Sequence, residues 1–134
     1  MNLIFNRTIV SSYTPLEILE RRVDNTYLYR YDLQEIPQER SDDSETRPIP
    51  EGNTYSYVSV MLNGYPNKNE VIKYLIRQLL TAEDELKIIN DYNEVVSLVP
   101  EYESTEEYRT YMHYLTLRHE IKSKVSEDFK NLNI

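Results

Sequence analysis

Residues 62–71 read LNGYPNKNEV. An apolar run enters from the left: Tyr55, Tyr57, Val58, Val60, Met61 and Leu62. A helical pattern leaves to the right, with Val71, Ile72, Leu75, Ile76, Leu79 and Leu80 on one stripe. Asn63-Gly64 is a turn signal, and Gly64 is one of only 2 glycines in the chain. Glycine-containing strand-to-helix turns are also where phosphate loops form. This one has a single glycine and no Lys-Ser/Thr pair, and Pro66 removes a backbone donor that a phosphate cradle would use. The stretch therefore reads as a corner, with Tyr65 packing across it.

On the helical side, Asn67 is an N-cap with Glu70 three residues on. That predicts a helix over 67–80. Thr81 then caps a second, over 82–98, whose first turn carries Glu83, Asp84 and Glu85, the sign that suits a helix N-terminus. Pro100 closes it. Ser104, with Glu107 at the third position, caps a third helix over 105–131. Its stripe is Tyr111, Tyr114, Leu115, Leu117, Ile121, Val125, Phe129 and Leu132. This helix is longer than its neighbours can cover, so part of the stripe is expected to meet another chain.

On the sheet side, residues 3–10, 26–33 and 54–62 read as strands, rich in β-branched and aromatic residues. In TYLYRYDL, Tyr27, Tyr29 and Tyr31 alternate with Leu28, Arg30 and Asp32, and the tyrosine face is expected to be the buried or contacted one. The strand at 54–62 is expected to pair antiparallel with 26–33. Thr14, Pro15 and Glu17 form a capping box that predicts a short helix over 15–23, with Leu16, Leu19 and Val23 as its stripe. Residues 34–53 hold three prolines, a glycine and eight charges, and read as an acidic loop or linker, or an arm that orders on a partner. The fold class expected is α+β: a small antiparallel sheet with a C-terminal three-helix unit, in one domain over 1–134, with 63–134 as the helical part.

The 134 residues carry 23 acids and 15 Lys and Arg, a formal charge of −8. Residues 34–53 hold half of that excess, six acids against two bases. A chain that tracks phosphates on nucleic acid wants the opposite sign, so no nucleic-acid partner is expected. Without cysteine there is no disulfide, thiolate nucleophile or Cys-based zinc site. No run is long and apolar enough to span a bilayer, and the first residues lack the features of a signal peptide, so the chain is expected to be made in the cytoplasm without a membrane partner. Tyrosine is the outlier: 13 Tyr against 2 Phe and no Trp. A tyrosine can sit half in a core with its hydroxyl in water or on a partner.

No catalytic constellation is visible. His113 and His119 are six residues apart, on different faces of one helix, and cannot share a metal from there. The acidic clusters at Asp42/Asp43/Glu45, Glu83/Asp84/Glu85 and Glu106/Glu107 lie in a loop or at helix starts, where solvation and capping account for them. No calcium-loop frame occurs, and Ser11 and Ser12 have no nucleophile-elbow context. No catalytic residue, metal, cofactor or small-molecule ligand is expected.

NGYPNKNEVIKYLIRQLLTAEDELKIINDYNE, followed by a spacer and EEYRTYMHYLTLRHEIK, resembles a family of small structural or accessory proteins of tailed phages and prophages of gut Bacteroidota. The pattern is a strand, a G-x-P turn, a helix, an acidic-capped second helix ending near N-[DN]-Y, and a third helix opening with an aromatic-Arg pair. Here Gly64, Pro66, Ile89, Asn90, Tyr92, Tyr108 and Arg109 carry it, within Met61 to about Val125, roughly half of the chain. The chain departs at RQLLTAEDEL, where the family has Tyr-Ser before the acidic cap. The resemblance implies a non-enzymatic virion component, of the capsid, head-fibre or tail-fibre region, that meets other phage structural proteins or copies of itself. Expected partner-contact residues are Tyr27, Tyr29, Tyr31, Tyr55, Tyr57, Tyr111 and Tyr114. The alternative is an acidic soluble inhibitor that mimics nucleic acid to bind a host enzyme.

Overall fold

The structure, a computed structural model, describes residues 3–36 and 52–134. Its elements are β1 (Thr8–Ser12), β2 (Leu19–Arg21), β3 (Thr26–Ile36), β4 (Asn53–Asn63), α1 (Lys68–Leu79), α2 (Ala82–Leu98) and α3 (Glu106–Asn131). The fold is α+β, with a four-stranded antiparallel sheet and a C-terminal set of three helices. The chain groups into two compact units. One is Asn6–Pro66, and the other is Met1–Phe5 with Asn67–Ile134.

The sheet runs β1-β4-β3-β2. As expected, β3 and β4 pair antiparallel, from Thr26↔Asn63 to Ile36↔Thr54. The strands therefore reach into the stretch read as a loop: Gln34, Glu35 and Ile36 belong to β3, and Asn53 opens β4. Ladder hydrogen bonds satisfy these backbone groups, which local polarity does not count. The rest of that stretch, 37–51, lies outside the described residues.

Alternation along β3 is broken in two ways. Leu28 to Tyr31 are all buried, so both faces are covered there, and so are Tyr55 to Val58 on β4. Between Tyr31 and Gln34 the register slips, with Asp32 at φ 51°. This is a β-bulge. Arg7 clamps it: the guanidinium donates to the Asp32 carboxylate at 2.9 Å and carbonyl at 2.7 Å, and across the ladder to the Ser56 hydroxyl at 2.6 Å and carbonyl at 3.1 Å.

The expected helix over 15–23 does not form. Leu19–Arg21 is instead an edge strand, paired with Tyr29, Leu28 and Tyr27. A single-cap helix of nine residues is marginal alone, whereas the strand joins a ladder. It also places two carbonyls on Arg30: Ile18 accepts from its backbone N–H and Glu17 from its guanidinium, each at 2.7 Å. The proposed N-cap, Thr14, has its carbonyl bonded by the Ser12 hydroxyl. A tight turn over Val23–Thr26 returns the chain. Asp24 (φ 59°) and Asn25 (φ 57°) both take left-handed backbone, the geometry of two-residue hairpins and one that Asp and Asn tolerate.

The expected strand at 3–10 is shifted as well. β1 begins only at Thr8, pairs with β4 from Thr8↔Tyr57 to Ser12↔Asn53, and Leu3–Phe5 group with the helices, where Leu3 is buried.

Arg30, placed by period on the polar face, is only 5% exposed. Its guanidinium lies over the Tyr57 ring at 5.1 Å and donates to the Glu20 carboxylate at 3.0 Å, besides Glu17. The corner at 62–67 behaves as read. Gly64 takes φ 88°, its N–H donates to the Asn25 carbonyl at 2.9 Å, and the Tyr65 ring meets Tyr27 edge-on at 6.3 Å.

The helical unit follows its sequence signals closely. Asn67 accepts from the Glu70 N–H and Thr81 from the Asp84 N–H, capping α1 and α2 as read. On α3 the cap moves one residue. Thr105, not Ser104, accepts from the Tyr108 N–H, while the Ser104 hydroxyl closes a 3-10 turn (Tyr102–Ser104) onto the Glu101 carbonyl. Val71, Leu75, Ile76, Ile88, Tyr114, Ile121, Val125 and Phe129 are buried. Among them on α3 sits Asp128, a buried carboxylate 3.1 Å from the Lys124 ammonium.

Candidate functional site: a cationic cleft on the helical unit

A cleft of about 340 Å³ opens within the helical unit. α1 lines it with Asn69, Ile72, Lys73, Ile76 and Arg77, whose spacing sets one helix face. α3 adds Arg118 and Lys122, and the first turn of α2 adds Glu85. Four of the nine bases of residues 67–134 thus face one concavity, with one of thirteen acids. Lys73–Arg77 and Arg118–Lys122 are each like-charge pairs four residues apart, and such pairs cost a helix about 0.2–0.5 kcal/mol.

The one carboxylate is committed. Glu85 accepts the Tyr114 hydroxyl on one oxygen and Arg77 on the other, at 3.2 Å. Tyr114 in turn accepts from Arg118 at 3.0 Å. The line Arg77–Glu85–Tyr114–Arg118 therefore ties all three helices and holds both guanidinium groups in place. Partial burial pushes the Glu85 pKa up, but hydrogen bonds from Tyr114 and Arg77 and the charges of Arg77 and Arg118 outweigh it, so Glu85 titrates below the ordinary carboxylate range. Burial, then the bond to Glu85, pushes the Tyr114 phenol up. The ammonium groups of Lys73 and Lys122 make no hydrogen bond or ion pair among the described residues.

Tyrosines continue away from the cleft. Tyr111 stacks on Tyr92 at 3.8 Å and sits 6.3 Å from Tyr114, and Tyr108 lies between Tyr92 and Tyr102 at 6.2 and 5.7 Å. Such pairs add about 0.5–1.5 kcal/mol each beyond burial.

Of the tyrosines expected to meet a partner, Tyr29, Tyr31, Tyr55, Tyr57 and Tyr114 are buried, and Tyr27 and Tyr111 are half-buried. His113 and His119 are exposed. No group of three His, Cys, Asp or Glu that could hold a metal occurs among the described residues, and none of their helices is long and apolar enough to cross a membrane. The cleft was missed because each helix, taken alone, mixes both signs. Its signal was the two like-charge pairs, which gain meaning only once α1 and α3 are neighbours.

Compared with known proteins, the chain matches no family model, no curated protein and no solved structure.

Proposed function

We propose that this chain is a non-enzymatic structural or assembly protein of a tailed-phage virion, of the capsid, head-fibre or tail-fibre region, that acts through protein–protein contacts. The phage assignment rests on the strand–GxP turn–three-helix resemblance. The contact role rests on the apolar surface left open on α2 and α3. Leu86 is 58% exposed, Leu98 74%, Met112 40% and Leu115 36%. Met112 and Leu115 are three apart on α3, as neighbours on a helix surface. With most of the expected tyrosines buried in the chain itself, these exposed apolar side chains supply the contact area instead. The acidic-inhibitor alternative rests on net charge alone, and the cationic cleft runs against it.

The test is the mass of the purified protein by light scattering over a concentration series, with co-purification against the virion proteins encoded beside it. A self-associated species, or capture of one of those proteins, lost in Leu86→Lys and Met112→Lys, is expected. A monodisperse monomer that captures none of them overturns the reading.

A further inference from the structure

We propose that the cleft formed by α1, α2 and α3 is a binding site for a small ligand carrying two adjacent phosphates. This goes beyond the assembly reading and does not rest on it.

The argument begins with charge. The chain is acidic overall, yet Lys73, Arg77, Arg118 and Lys122 converge on one cavity. Glu85 offsets one of them, which leaves three positive charges in excess. A single phosphate monoester brings about −1.5 to −2, too little to balance them. Two adjacent phosphates match.

Geometry narrows the class further. Arg77 and Arg118 are held by Glu85 and Tyr114, so little side-chain freedom is lost when their forks meet an anion. Guanidinium groups bind phosphate oxygens in pairs, and ammonium groups act as point charges beside them. Lys73 and Lys122 supply that second kind, free of other bonds among the described residues. Buried Ile76 and half-buried Ile72 give an apolar wall for an organic part, and Asn69 adds an amide. At about 340 Å³ the cavity falls within the range of small-molecule pockets, about 300–1,000 Å³. A half-open cleft of this volume suits a compact anion better than an extended acidic peptide.

The test is calorimetric titration of the full chain with inorganic pyrophosphate, at constant ionic strength, with orthophosphate and a polyglutamate peptide as comparison titrants. Saturable one-to-one binding of pyrophosphate, tighter than orthophosphate, is expected. Lys73→Gln and Lys122→Gln, both at exposed positions, should each weaken it roughly tenfold. Lys87→Gln removes an exposed lysine outside the cleft and should leave it unchanged. No saturable heat with pyrophosphate, an equal loss in Lys87→Gln, or polyglutamate binding as tightly as pyrophosphate would each overturn the proposal.

Discussion

The hydroxyl of Tyr114, on α3, donates to the carboxylate of Glu85, in the first turn of α2, across 29 residues of sequence. Both belong to the line that fixes the cleft's two arginines. Tyr114→Phe removes this donor and keeps the ring. The loss should be about 1.5–3 kcal/mol at neutral pH, as for hydrogen bonds to charged groups. Because the folded-state pKa of Glu85 lies below its unfolded value, the bond's contribution is fully present above the unfolded value and fades as pH falls through the folded one. Urea unfolding of both proteins at a series of pH values checks this. The gap between them should close on the acid side and stay constant from pH 6 to 8.

Arg30 illustrates a buried charge that the fold depends on. Arg30→Ala leaves the Glu17 carbonyl without its guanidinium donor, leaves the Glu20 carboxylate with Arg22 alone at 3.2 Å, and empties the space over Tyr57. A loss of about 2–4 kcal/mol is expected, and Arg30→Lys should recover little of it, because an ammonium lacks the planar fork that reaches both acceptors. Chemical denaturation midpoints at constant slope decide this.

The two glycines separate strain from collision. Both take positive φ, 85° at Gly52 and 88° at Gly64. A Cβ at Gly64 meets open space, so Gly64→Ala should cost only the left-handed conformation, about 1–2 kcal/mol. A Cβ at Gly52 falls against the backbone of Ser12 on β1, so Gly52→Ala should cost clearly more. Thermal unfolding of the two variants side by side tests the ranking.

The cap of α3 offers a third comparison. Thr105→Ala removes the acceptor for the Tyr108 N–H and should cost about 1 kcal/mol, as N-cap losses do. Ser104→Ala breaks only a turn hydrogen bond in an exposed position and should cost less. If Ser104→Ala costs more, the helix starts one residue earlier in solution.

Much of the fold was legible in the sequence, and the reason is local. Asn67 and Thr81 cap helices by bonds to residues three positions away, so their signal sits in a four-residue window. The stripes of α1 and α3 and the β3–β4 pairing follow from periodicity. The Gly64 corner follows from backbone freedom that any neighbourhood would need. The caps, stripes and corner are set by near neighbours, and the β3–β4 pairing by two alternating strands that follow one another in the chain.

What only the tertiary structure decided is non-local. Thr14, Pro15 and Glu17 carry a good helix-start signal, yet Leu19–Arg21 is a strand because Tyr27–Tyr29 offer it a ladder. Arg30 is buried because Glu20 on that added strand, and Glu17 just before it, come to meet it. The tyrosines of β3 and β4 are spent inside the chain because both faces of those strands are covered, whereas period 2 counts one face only. The cleft exists because α1 and α3 bring Lys73, Arg77, Arg118 and Lys122 together from 41 and more residues apart. Local sequence sets which residues can start, stop and stripe an element. Burial and charge convergence depend on which elements become neighbours, and that is a property of the packed chain.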